Sequence, residues 1–249
     1  MPVIICTNAA TITWSNVTTN TILEDNVHVW RFRLSSYTAI IGSFIPTLSE
    51  AELERANTYP GELQKNRFII SHGILRFLLG KYLNRLPADV VFLAERNNKP
   101  IIQQKDNNLL HYNLAHSGDW MLIAIASSTV GIDMEYTLND LNINEMLPDY
   151  FSNEEITKIK NAADQQQCFY SLWTRKEALV KATGKGTDND LVFIPCLDGA
   201  HTIQSKVIGS EQDWIVSSFE TEHNYISAIA RNPLARNIQF YEGGNLFNI

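Results

Sequence analysis

Two well-separated stretches of this chain carry the same instruction for starting a helix. Ser49-Glu50-Ala51-Glu52 and Ser152-Asn153-Glu154-Glu155 each place a serine at a helix entry and a glutamate three residues later, the spacing of a capping box. A long amphipathic run follows each. Within 62–84, Phe68, Leu75, Leu78, Leu79 and Tyr82 recur at helical intervals, after a turn near 59–61 and before a closing Pro87. Within 165–183, Phe169, Leu172, Trp173, Leu179 and Val180 mark the apolar face, and Gly184 ends the helix. Short strands are expected at 28–34, 90–93, 100–103, 121–126 and 129–135, and again at 191–195, 202–207, 214–220 and 225–230. Met121-Leu-Ile-Ala-Ile-Ala126 even echoes Tyr225-Ile-Ser-Ala-Ile-Ala230. The pattern predicts an α+β fold of duplicated halves, each a long helix packed on a small antiparallel sheet. The expected division is an irregular, Thr/Asn-rich N-terminal extension (1–27), a first half (28–130) and a second half (131–249).

At 249 residues, 45% of them hydrophobic and 19% charged, the chain has the composition of an ordinary globular protein with a sizeable core. Its net charge of −7 argues against a nucleic-acid binder, whose footprint is a basic patch or stripe. Cys6, Cys168 and Cys196 are odd in number and lack zinc or C-x-x-C spacing, which predicts free thiols in a reducing compartment. Residues 2–6 are too short an apolar run for a signal peptide, and no stretch approaches the ~18 apolar residues of a membrane span. Asn16-Val17-Thr18 matches a glycosylation acceptor but is read as chance without a secretion signal. A cytoplasmic protein with no membrane or nucleic-acid partner is expected.

Three segments carry candidate chemistry. In Val130-Gly131-Ile132-Asp133-Met134-Glu135, strand alternation sends Asp133 and Glu135 to one face and Ile132 and Met134 to the other. Adjacent carboxylates repel unless a cation or shared proton compensates, and Mg²⁺ favours one or two protein carboxylates plus substrate phosphates. An edge strand with two solvated acids is the bland alternative. Trp173, Glu177 and Lys181 follow at i, i+4 and i+8 on one helical stripe, ahead of a cationic, flexible Gly184-Lys185-Gly186. A surface Glu–Lys pair would look the same. The third piece is Asn97-Asn98-Lys99-Pro100 with Asn113-Leu114-Ala115-His116-Ser117-Gly118. Lys99 before proline is held extended, a posture suited to a phosphate contact and equally to a loop lysine.

In this order, Lys-Pro, Asn-x-x-His-Ser-Gly, Gly-Ile-Asp-x-Glu, Phe-Ser-x-x-Glu and Trp-x-x-Lys-Glu-Ala-x-x-Lys-x-x-Gly-Lys-Gly resemble the surfactin-synthetase-activating type of 4′-phosphopantetheinyl transferase. The resemblance runs from about residue 49 to 187. It implies a monomer with a pseudo-two-fold α+β fold. The implied reaction moves 4′-phosphopantetheine from coenzyme A to a serine of an acyl or peptidyl carrier protein, releasing 3′,5′-ADP. Asp133, Glu135 and Glu177 look like the family's Mg²⁺ ligands, and Lys181 like the lysine that contacts the phosphates and assists the leaving group. Arg67, Lys99 and His116 resemble residues on the pyrophosphate and 3′-phosphate side, and Glu177 or a metal-bound water would be the base. Ala115 stands where many members have Ser. Ala51 and Glu54 replace lysines of the best-known type, with Arg55 as a substitute. Glu155 is sometimes a metal or base residue in the family, but its capping-box spacing already gives it a structural task.

Two rivals share these features: a non-catalytic relative that binds a carrier protein or coenzyme A, and a magnesium phosphohydrolase acting on nucleotides. Carrier proteins of this kind are usually acidic, as this chain is, so docking would rest on an apolar groove or a local basic patch near Lys158, Lys160, Arg175 and Lys176.

Overall fold

A computed structural model of the chain describes residues 1–9, 12–16, 23, 25–94, 97, 99–104, 110–137, 142–186 and 190–247. Asn98 and the Val17-Thr18 pair of the acceptor motif lie outside them. The elements run β1 (Val3–Asn8), β2 (Ser15–Asn16), β3 (Asn26–Arg33), a short turn α1 (Ile41–Phe44), α2 (Glu50–Asn57) and α3 (Glu62–Leu83). They continue through β4 (Phe92–Ala94), β5 (Pro100–Ile102), β6 (His111–Ser117), β7 (Trp120–Ala126) and β8 (Val130–Tyr136). Last come α4 (Ile143–Tyr150), α5 (Asn153–Lys160), α6 (Gln165–Thr183), β9 (Gly199–Thr202), α7 (Ser205–Ile208), β10 (Trp214–Glu222), β11 (Tyr225–Arg231) and β12 (Asn237–Glu242).

Among the described residues, one sheet has the order β2-β12-β3-β7-β6 and the other β8-β11-β10-β1-β9, with β4 and β5 a separate pair. Each main sheet has an antiparallel core, β3-β7-β6 or β8-β11-β10. Strand alternation then builds the layers. Trp30, Phe32, Met121, Ile123 and Ile125 face α3 in one cluster. Val27, Val29, Leu122 and Ala124 face the opposite way and pack on Ile132, Met134 and Ile229 of the second sheet. Ala228 and Ala230 face α6, beside its Ala178 and Ala182. Buried on both faces, β7 therefore reads as a continuous apolar run rather than an alternating one.

Both capping boxes form, at Ser49/Glu52 and Ser152/Glu155, and the duplication extends beyond them. Each box glutamate also receives a cation from the following long helix: Arg76 Nη2 lies 2.7 Å from Glu52 and Lys176 Nζ 2.8 Å from Glu155. The same cations hold the chain just past their helices, Arg76 through Pro87 O and Val90 O, Lys176 through Leu191 O and Ile194 O. One buried charge pair thus ties three segments together in each half.

Several expected elements differ. Val3–Asn8, expected to be irregular, is a strand, with Ile4 and Cys6 buried in the second half's core. It pairs parallel to β10, while β12 pairs parallel to β3, so each chain end joins the sheet of the other half. Leu191–Phe193 is a 3₁₀ turn rather than a strand because Lys176 gathers its carbonyls. In the 202–207 region the strand ends at Thr202 and a helical turn follows, closed by Gly209 at φ +67°. His111–Ser117 forms a strand without a strand signature, because its polar and apolar residues do not alternate cleanly.

The contact that sets the position of α6 is at Gly131. A Cβ there would overlap the backbone of α6 at Ala178 O and Ala182 N, so helix and strand sit closer than any side chain would permit. Gly131→Ala is expected to push α6 outward and cost about 1–3 kcal/mol, read by urea unfolding. Lys176→Met, which leaves Glu155 buried without its cation, is expected to cost about 3–5 kcal/mol by the same measurement.

Candidate active site

Because α6 rests on Gly131, the next residues on that face of β8 rise directly under the helix. Asp133 and Glu135 meet Glu177 and Lys181 of α6 in a cleft of about 320 Å³, whose other wall is Leu114, Ala115 and His116 of β6, with Trp173 beside it. Strand period and helix period, acting on β8 and α6, bring the predicted side chains together, with β6 of the other sheet as the facing wall.

The cleft concentrates negative charge. Asp133 is 5% exposed. Its Oδ1 accepts from Lys181 Nζ at 2.6 Å, and its Oδ2 is buried with no partner in the structure. Glu135 accepts from Ser117 Oγ at 3.3 Å and from the Trp173 indole. Burial, and then the Asp133 charge, push its carboxyl above the usual value. Glu177 is moved further, from an ordinary 4.5 to about 7, by burial first and then by Asp133, with Glu135 adding to it and Lys181 opposing. Three carboxylates against one ammonium leave the cleft short of positive charge.

The β6 side presents His116, with Arg67 reaching toward it from α3. Surrounding protein, then Lys181 and then Arg67, hold the His116 imidazole below its usual value, although the residue keeps an exposed face. Arg67 reaches this region from α3 with its Nε buried and unpartnered in the structure. A larger cavity of about 710 Å³ shares Leu114 with the cleft and is lined by Arg55, Phe68, His72 and Asn113 among others. Arg55 sits over the Phe68 ring, 5.4 Å from its centroid.

Other expected residues fall outside the cleft. Lys99 Nζ donates to Ala182 O at 3.0 Å, placing its charge at the C-terminal end of α6, where a cation is favourable. Lys185 does not face the cleft region freely: its Nζ is held by Asp190 and Val207 O, both at 2.6 Å. Glu155 serves its cap, Lys176 and Cys196 N. The proposed basic docking patch is corrected, because Arg175 and Lys176 are only 3% and 1% exposed. Arg175 spends its donors on Ser218, Cys196 O, Thr7 O, Asn8 and Asp198. Lys158 and Lys160 alone of the four are exposed. Sequence reasoning assigned no role to Asn113 or Ser117. The structure has them bonded across to β8, and their four-residue spacing was the available signal.

The chain was compared with known proteins. Residues 129–230 match the 4′-phosphopantetheinyl transferase superfamily, a segment that contains all three carboxylates. The chain is 36% identical over 171 residues to the 4′-phosphopantetheinyl transferase HetI of Nostoc sp., covering 67% of this chain and 72% of that protein. It is 33% identical over 188 residues to the 4′-phosphopantetheinyl transferase psf-1 of Bacillus pumilus, covering 69% and 77%. Against the 4′-phosphopantetheinyl transferase Sfp of Bacillus subtilis it is 24% identical over 189 residues, covering 75% and 83%. The breadth of these matches places the chain in one family: it belongs to the 4′-phosphopantetheinyl transferases of the Sfp type.

Proposed function

We propose that Asp133, Glu135 and Glu177 hold a magnesium ion, and that Lys181, His116 and Arg67 bind the phosphates of coenzyme A beside it. The chain is an enzyme that transfers 4′-phosphopantetheine from coenzyme A to a carrier protein. The observation that carries the residue assignment is the electrostatic imbalance of the cleft: an orphaned Asp133 Oδ2, and a Glu177 carboxyl raised to about 7 by burial and then by the Asp133 charge. All-oxygen donors suit a hard divalent cation. Among the described residues no three His, Cys, Asp or Glu side chains already stand as a metal cage. Mg²⁺ does not require one, since it keeps waters and takes substrate phosphates as ligands.

When bound, the ion would polarise the phosphorus under attack and offset the pyrophosphate charge. The remaining work falls to the chain. Glu177 would accept the proton of the attacking serine. Lys181, now paired with Asp133, would turn to the charge developing on the departing 3′,5′-ADP. His116 and Arg67 would orient the phosphates from the β6 side. The 710 Å³ cavity with Arg55 and Phe68 is the space we assign to the nucleotide end of coenzyme A. Lys99 would act there only after leaving Ala182 O. We further propose a monomer acting in the cytoplasm, with neither a membrane nor a nucleic-acid partner. Cys6, Cys168 and Cys196 are free thiols, and no helix among the described residues is long and apolar enough to cross a membrane.

Incubation with coenzyme A, Mg²⁺ and apo carrier proteins of the fatty-acid, polyketide and peptide-synthetase classes is expected to add one phosphopantetheine to at least one carrier, read by intact mass. No addition to any of them would contradict the reading. Asp133→Ala is expected to abolish transfer nearly completely, and Glu177→Gln to slow it about 10²–10⁴-fold. The raised Glu177 pKa also makes a stability prediction for chelated protein. Between 4.5 and about 7 the folded chain keeps a proton that the unfolded chain has lost, so this contribution to stability is full below pH 4.5 and disappears as pH rises through 7. Urea unfolding of Glu177→Gln, neutral at every pH, is therefore expected to gain on wild type between pH 5 and 7.5.

A further inference from the structure

β6 and β8 are edge strands of different sheets, and they lie side by side along the seam between the halves. Side chains of β6 take the place of a backbone ladder there. Asn113 Oδ1 accepts from Ile132 N at 2.8 Å and Ser117 Oγ accepts from Tyr136 N at 3.0 Å. The anchors are spaced alike on both strands, and Asp133 and Glu135 sit between them on β8. The two anchors differ in one respect. An amide oxygen has nothing to donate, whereas a serine hydroxyl accepting from a backbone N–H keeps its own proton for another partner. That partner is Glu135 Oε2, 3.3 Å away.

We propose that Ser117 is a positioning residue for the metal site: Tyr136 N–H fixes its hydroxyl as an acceptor, and the hydroxyl proton aims the Glu135 carboxylate into the cleft. The inference rests on the reading of Glu135 as a magnesium ligand. A donor to a ligating carboxylate holds its orientation and favours its charged form, and loss of such partners typically weakens metal binding about 10–100-fold. Asn113 performs the seam function without touching a carboxylate, so it separates aiming the ligand from merely joining the strands.

The test uses the full-length chain and Mn²⁺ alone as probe, with free Mn²⁺ read by electron paramagnetic resonance and unfolding followed in parallel. Ser117→Ala is expected to raise the Mn²⁺ Kd about 10-fold or more, and Ser117→Thr, which keeps the hydroxyl, to restore binding to near wild type. Asn113→Ala is expected to lower stability while leaving the Mn²⁺ Kd near wild type. Glu135→Gln is expected to lose most Mn²⁺ binding. Wild-type Mn²⁺ affinity in Ser117→Ala, with binding lost in Glu135→Gln, would overturn the role of Ser117 and leave the metal site standing. Equal weakening in Asn113→Ala and Ser117→Ala would overturn it too, reducing both residues to seam contacts. Wild-type affinity in Glu135→Gln would instead remove the metal reading beneath the inference.

Discussion

The distance between α6 and β8 decides whether this chain has a site at all. Gly131 on the strand and Ala178 and Ala182 on the helix let the two backbones meet, and Asp133, Glu135, Glu177 and Lys181 are the side chains carried to the rim of that contact. The arrangement opposes its own electrostatics. Raising Glu177 from 4.5 to about 7 corresponds to roughly 3 kcal/mol against its charged form, from burial first and the Asp133 charge second. Each fully buried Val, Leu or Phe contributes about 1.5–3 kcal/mol, and α6 buries Phe169, Leu172, Leu179 and Val180. Packing therefore outweighs this cost of burial and repulsion, and the fold can hold three carboxylates in a state that a cation would relieve.

Duplication explains the frame, and its failures explain why the carboxylate set occurs once. Aligning the echoed strands, Ala124 with Ala228 and Leu122 with Ile226, maps Asp133 and Glu135 of β8 onto Val29 and Arg31 of β3. The first half thus carries no acids at the equivalent positions. Arg31 instead lies over the Trp14 ring, 4.5 Å from its centroid, and bonds Glu242 of β12 at 2.7 Å. That last strand covers the edge of β3. β8 has β6 alongside instead, joined by Asn113 and Ser117, which leaves its acidic face open to the cleft. Only one of the two related strand edges remains available for chemistry.

Much of this was legible from local rules. The capping boxes marked both helix entries because their partners lie within one turn, and period-two alternation placed Asp133 and Glu135 together. The i, i+4 relation of Glu177 and Lys181 aligned them on one stripe. What escaped depended on distant parts of the chain. β1 and β12 are strands only because the opposite half offers them an edge, and Leu191–Phe193 is bent by a lysine on α6. The burial of Arg175 and Lys176 needed five and three internal partners, none of them adjacent in sequence. Lys99 looked like a phosphate ligand from its place before proline, yet its partner is the carbonyl of Ala182 at the far end of α6.

One cation belongs among Asp133, Glu135 and Glu177 if the site works as proposed. A crystal structure with coenzyme A and Mn²⁺, phased on the manganese anomalous signal, addresses it directly. A single strong anomalous peak is expected within coordination distance of carboxylate oxygens from both β8 and α6 and of the coenzyme A pyrophosphate. A peak elsewhere, or coenzyme A bound with no metal between these carboxylates and its phosphates, would contradict it.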